Sequence, residues 1–327
     1  MSERVLVTGA TGFVGSHVAE KMLLNGKTVR LLVRDARRLK WFSPDRFEIS
    51  TAGLNDESEL TRALDSVDVV IHCAGVTKTA RREEFFEVNE NATRTLARAS
   101  ERAGVRRFVH CSTLAVCGPS AAGAVIHETD IEKPITDYGR SKLAGEHAVR
   151  GELGRAEWVI LRPPAVMGPR DEQFLPLFKM MWTWRFYTDV GFRPREYSLI
   201  GVRDLADGLC LAADVSSGLR ETYFVTMPEP VAWHVVADAF AGASGRRAHK
   251  VVIPEMVARS LGVFGDLSMR FSGKPALLNS DKVTEILADG WACSGEKIAR
   301  AWGFRCKDGL SDVVRDTLTF YREVNWL

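Results

Sequence analysis

Short apolar runs alternate with amphipathic stretches through the first half of the chain. Val5-Leu6-Val7 has strand length, and Phe13 to Leu24 has the spacing of a helix that stops at Asn25-Gly26. Thr28 to Val33, Phe47 to Ser50, Asp68 to His72, Arg107 to Ser112 and Trp158 to Leu161 follow as further strands. Between them, Phe85, Val88, Ala92, Leu96 and Ala99 share one helical face, and Thr136 to Leu153 reads as a second long helix. Strands alternating with helices predict a parallel sheet covered on both faces, with right-handed crossovers. The fold class expected is therefore α/β, a doubly wound Rossmann-type sheet with a smaller, mostly helical C-terminal substrate lobe.

The pattern loosens after Pro163-Pro164. Residues 168–195 are rich in aromatics and Met without a clean period. Val202 to Ala213 then reads as a helix, Glu221 to Thr226 as a strand, and Leu310 to Val324 as an amphipathic helix. These features divide the chain into a dinucleotide-binding domain over 1–167, with returns near 203–226, and an interleaved substrate lobe over 168–327. Met256 to Phe271 has apolar residues at helical spacing; packing within the lobe is the expected use, and contact with a membrane surface is the alternative. Trp182, Trp184, Phe186, Tyr187 and Phe192 suit either a pocket for a bulky apolar substrate or the core of the lobe.

Composition adds exclusions. Lys and Arg total 44 against 42 Asp and Glu, a net charge of +2, which implies neither a nucleic-acid stripe nor a polybasic arm. Six scattered cysteines form no CxxC pair and suit a reducing compartment. No apolar run is long enough for an integral membrane segment. With no signal-peptide pattern at Met1, a cytoplasmic location is expected. A small-molecule substrate is the expected partner, nucleic acid is not, no metal ligand set is assigned, and homodimer formation is left open.

The first chemistry-bearing segment is Thr8-Gly9-Ala10-Thr11-Gly12-Phe13-Val14-Gly15, between the first strand and the first helix. Gly9 suits the tight turn, Gly12 lets backbone approach a pyrophosphate, and Gly15 lets the helix close on the sheet. A helix N-terminus with free N–H groups then faces the phosphates. Tyr138-Gly139-Arg140-Ser141-Lys142 puts a phenol and an ammonium on one helical face. A nearby cation stabilises a phenolate, so such a pair suits general acid–base work on a hydroxyl or carbonyl.

With these two motifs in this order, the chain resembles the extended short-chain dehydrogenase/reductase superfamily, NAD-dependent epimerase/dehydratase-like, in the style of the 3β-hydroxysteroid dehydrogenase and dihydroflavonol reductase branch. The resemblance covers essentially the whole chain and is most specific over 4–169. It implies a catalytic set of Thr113, Tyr138 and Lys142, with Thr113 lying 25 residues before Tyr138. Ser112 is the neighbouring candidate, and Asn89 matches the family Asn that orders backbone and water near the lysine. Cofactor contacts implied are Gly9, Thr11, Gly12, Phe13, Val14, Gly15, Arg34, Leu54, Ala74, Gly75, Tyr138, Lys142, Pro163 and Val166. His72, ending a buried strand, is expected to be a satisfied core histidine.

In NAD-preferring members an acidic residue ends the second strand. Here Val33 stands there, Arg34 follows, and Asp35 belongs to the next turn, so NADP is favoured, with NAD as the other choice. Ala52-Gly53-Leu54 departs from the family's Gly-Asp-Leu, which moves the adenine contact onto other groups. Leu114 and Ala115 replace the acidic pair of sugar-nucleotide dehydratases. An NADP-dependent oxidoreductase is therefore expected, ahead of an NAD-dependent sugar-nucleotide epimerase and of a non-catalytic dinucleotide-binding regulator.

Overall fold

The computed structural model describes residues 2–276 and 278–327. In chain order its strands are β1 Arg4–Thr8, β2 Thr28–Val33, β3 Glu48–Thr51, β4 Val69–His72, β5 Arg107–Cys111, β6 Glu157–Arg162, β7 Ala165–Met167, β8 Phe186–Val190, β9 Leu199–Gly201, β10 Glu221–Phe224 and β11 His249–Ile253. The helices are α1 Phe13–Leu24, α2 Glu57–Ala63, α3 Arg82–Phe86, α4 Thr93–Ala103, α5 Asp137–Glu152, α6 Leu175–Lys179, α7 Val202–Asp214, α8 Trp233–Ser244, α9 Glu255–Ser272, α10 Ser280–Leu287, α11 Glu296–Trp302 and α12 Leu310–Glu323.

Seven strands form one parallel sheet in the order β10-β6-β5-β4-β1-β2-β3. Alternation along each strand supplies both faces. Val5 and Val7 pack toward α1 and α7 with Leu31 and Val109, while Leu6 packs on the opposite face with Leu32, Val70, Phe108 and Ile160. Burial on both sides is why these strands read as continuous apolar runs. The order reverses between β1 and β4, which opens a crevice at their C-terminal ends. The loops carrying Gly9 and Gly75 both start there.

The expected strand at 221–226 is β10, at the sheet edge beside β6. A third core joins Met167 and Phe178 to α8 and α12 through Phe240, Val314, Leu318 and Tyr321. The aperiodic 168–195 segment contains α6, a π-helical turn over 180–184 and β8, which pairs in parallel with the distant β11. Its aromatics divide: Tyr187 is buried in the third core, while Trp184 and Phe192 are exposed.

One packing expectation is overturned. In α9 the buried residues are Ala258, Gly262 and Gly265, and the large apolar side chains of the 256–271 stretch face outward. The small residues are needed because α10 and its entry come close: a Cβ at Gly265 would sit 1.9 Å from the Leu278 carbonyl oxygen.

The six cysteines are free thiols. Among the described residues no helix is long and apolar enough to cross a membrane.

Candidate active site

The turn after β1 depends on backbone freedom. Gly9 has φ +75°, and a Cβ there would lie 2.7 Å from the Ala74 nitrogen. A Cβ on Gly15 would strike the Gly9 carbonyl oxygen at 2.4 Å. The phosphate loop, α1 and the turn after β4 are thus held together only because side chains are missing. Gly12 is the N-cap of α1 and supplies no side-chain cap, so the first-turn N–H groups, including those of Phe13, Val14 and Gly15, are open to an anion. Thr11 is half-buried in the same loop, and Ala74 donates its N–H to the Thr8 hydroxyl. Residues of this kind fit a dinucleotide pyrophosphate.

On the β2 side, Arg34 is exposed at the bend that ends the strand. Asp35 turns away: its carboxylate accepts from the Arg37 N–H and pairs with the Arg37 guanidinium. Arg37 and Arg38 are further exposed cations on this rim that the strand-end rule did not single out. Leu54 is half-buried, packed on the second face of the sheet. The Gly53 N–H before it donates to Glu59.

At the end of β5, the two neighbouring hydroxyls have different surroundings. Ser112 donates to Glu146 at 2.6 Å, inside the protein. Thr113 is half-buried and caps the short turn that follows, accepting the Ala115 N–H at 3.2 Å. Tyr138 opens α5, whose N-cap is Thr136, accepting from the Gly139 N–H. Burial raises the Tyr138 phenol above its ordinary value, opposed by the nearby Thr113 hydroxyl. Lys142 lies one turn on, donates to the Cys111 carbonyl at 2.8 Å, and has its pKa lowered by burial.

Asn89 is fully buried on the π-helical segment 87–92, which excludes a surface amide. It clamps both polar groups of Val76 at 2.9 Å and donates to Ser141. A Cβ at Gly75 would come within 3.0 Å of the Asn89 amide oxygen and 3.9 Å of the Lys142 ammonium. Asn89 therefore joins the β4 turn to the face of α5 that carries the lysine. In the loop after β6, the Pro163 carbonyl accepts from Leu114, and Val166 lies in β7, paired in register with Ile200.

Glu146 was missed by motif reading. It is fully buried, binds Arg162 at 2.8 and 2.6 Å and Arg150 at 2.8 Å, and accepts from Ser112. It thereby ties α5 to β5 and β6. Its signal was its position four residues after Lys142, on the same flank of the helix.

His72 is a satisfied core histidine: its ring nitrogens bond Thr8 and Thr93 at 2.7 and 2.9 Å. His110 stacks on it, buried, with neither ring nitrogen bonded. Burial pushes His72 down to about 3, His17 down to about 4 and His110 well below its ordinary value. Below pH ~6.5 the unfolded chain binds protons on these rings that the folded chain refuses, so stability falls as pH drops through that value. Asp171, pushed up to about 6 by burial, opposes this with one group of the other sign. His110→Leu should flatten the slope below pH ~6.5 by about 1.4 kcal/mol per pH unit. Urea melts at a series of pH values check it; an unchanged slope would mean that His110 protonates in the fold.

Known proteins resemble the chain along nearly its whole length. A ceramide reductase from Caulobacter vibrioides is 29% identical over 324 residues, spanning 99% of this chain and 96% of that protein. A 3 beta-hydroxysteroid dehydrogenase/Delta 5-->4-isomerase from Mycobacterium tuberculosis is 27% identical over 97% of this chain and 90% of its own. Among solved structures, MoeE5 in complex with UDP-glucuronic acid and NAD superposes with a TM-score of 0.79 at 22% identity, over 98% of this chain and 99% of that one, a likeness of fold. The sequence profile of the NAD dependent epimerase/dehydratase family matches residues 5–224, so the chain belongs to that family and is an NAD(P)-dependent enzyme of the extended short-chain dehydrogenase/reductase type.

Proposed function

We propose that the protein interconverts a hydroxyl and a carbonyl on an apolar, lipid-like substrate, with NADP(H) as hydride carrier and Tyr138 as the general acid and base. The observation that carries this reading is the shared face of α5 on which Tyr138 and Lys142 lie, with Lys142 bonded to the Cys111 carbonyl at the end of β5, two residues before Thr113. Thr113 would hold the substrate oxygen and Lys142 the ribose. A buried phenol with a raised pKa keeps its proton at neutral pH and can donate it to an alkoxide as it forms. A bound nicotinamide dinucleotide supplies or accepts the hydride and, when oxidised, adds a positive charge that favours the phenolate in the reverse direction. The apolar substrate class follows relatives such as the ceramide reductase and the hydroxysteroid dehydrogenase. NADPH consumption with a panel of lipophilic ketones, run beside UDP-sugar interconversion, tests the reading. Sugar epimerisation without net NADPH loss would overturn it.

The preference for NADP rests on Val33 and the exposed Arg34. NADP(H) should bind more tightly than NAD(H), and Arg34→Ala should weaken NADP(H) by about 10- to 100-fold, the loss of one charge-assisted phosphate contact. NAD(H) affinity should hardly move. Titrating both cofactors into both proteins checks this, and tighter NAD(H) binding by the unaltered protein would refute it.

A further inference from the structure

The exposed face of α9 is an apolar surface that the site does not use. Met256, Val263, Phe264, Leu267 and Phe271 point to solvent, with Phe264 71% and Phe271 85% exposed. At 100° per residue these positions fall on one side of the helix, opposite Ala258, Gly262 and Gly265. An ordinary surface helix puts its apolar stripe inward; this one buries small residues and presents large ones. Phe192, also 85% exposed, sits in a loop that touches the start of α9, Gly191 lying against Glu255.

Charge is distributed in the same sense. Arg259, Arg270 and Lys274 are exposed along this stretch. The two acids of α9 are engaged with other groups, the half-exposed Glu255 with Arg195 and Asp266 with Ser280. The solvent face therefore combines apolar side chains with cations that form no ion pair among the described residues.

We propose that α9 is a docking helix for the surface of an anionic lipid bilayer, lying in the plane of the headgroups with its aromatic face inserted. This chemistry matches an interfacial helix, in which apolar insertion and attraction to anionic lipid act together. A second copy of the chain fits less well, because a twofold contact through this face would set its arginines against one another. The placement also connects α9 to the element that carries Tyr138. α9 packs on α10, and Asp281 of α10 accepts the Asp137 N–H beside Tyr138. The inference stands apart from the proposed substrate, since its test reads binding and not turnover.

The test is flotation of the full-length protein with phosphatidylcholine vesicles, with and without roughly one-third phosphatidylglycerol. The protein should float with the anionic vesicles and bind the neutral ones at least about fivefold less. The double variant Phe264→Ser/Phe271→Ser should lose about tenfold or more in binding. The pair Arg259→Gln/Arg270→Gln should remove most of the difference between the two vesicle types. All four positions are exposed, so unchanged melting of the variants, with unchanged NADPH affinity, is expected. Failure to float, or flotation that the double variant leaves intact, would overturn the proposal. So would a dimer in sedimentation equilibrium that Phe264→Ser/Phe271→Ser dissociates, which would assign the face to a second copy.

Discussion

Tyr138→Phe is expected to lower turnover by roughly 10²–10⁴-fold, the range for loss of a general acid–base group. The substitution removes one oxygen and keeps the ring, which packs near Phe85 at a centroid distance of 6.1 Å. Lys142 keeps its bond to the Cys111 carbonyl, so cofactor affinity should change by less than about threefold. Lys142→Ala should damage both turnover and binding, because the proposed role of this buried cation is to hold the ribose and to tune the phenol. Thr113→Val should impair turnover while the cofactor stays bound. Ser112→Ala should act differently: its hydroxyl is spent on Glu146, so its cost belongs to stability. Steady-state kinetics beside cofactor titration separates these cases. If Ser112→Ala slows turnover far more than Thr113→Val, the substrate hydroxyl has been assigned one residue too late.

Glu146→Ala is expected to cost about 3–5 kcal/mol of folding stability, because it strands a buried cation. Arg162 is 1% exposed and makes two of its bonds to this carboxylate. Ser112 also loses its partner and Arg150 keeps Thr222 and the more distant Glu132, while Glu132 remains for Arg162. Glu146→Gln keeps the shape and part of the bonding and should cost less. The shift in urea midpoint at constant slope measures both. A loss below about 1 kcal/mol for Glu146→Ala would mean that water reaches Arg162 and replaces the carboxylate.

Local signals made the sheet legible. Val69-Val70-Ile71, flanked by turns, could only be a buried strand, and the glycine-rich turn after Val5-Leu6-Val7 fixed the site at the crevice beside it. Thr136 to Leu153 was readable to within its caps, since Thr136 caps α5 and Leu153 ends it. The parallel pair β8 and β11 was hidden for a physical reason: its partners lie about 60 residues apart, and neither has a clean alternation. α9 misled by its content. Apolar residues at helical spacing reveal a helix but not which side faces the core, and only the close approach at Gly262 and Gly265 decides that. The motif rules found Tyr138 and Lys142 from spacing, whereas Glu146 belongs to no motif and emerges only when β5, β6 and α5 converge on it.

Hydride transfer between a nicotinamide dinucleotide and a substrate carbonyl is measured most directly by following the transferred atom. NADPH carrying deuterium in the transferable position at nicotinamide C4 is mixed with the protein and a lipophilic ketone that it consumes. The account predicts an alcohol with one deuterium on the carbinol carbon, formed mole for mole with NADP, and almost none of it with Tyr138→Phe. An alcohol without the label, or full label transfer by Tyr138→Phe at the unaltered rate, would contradict it.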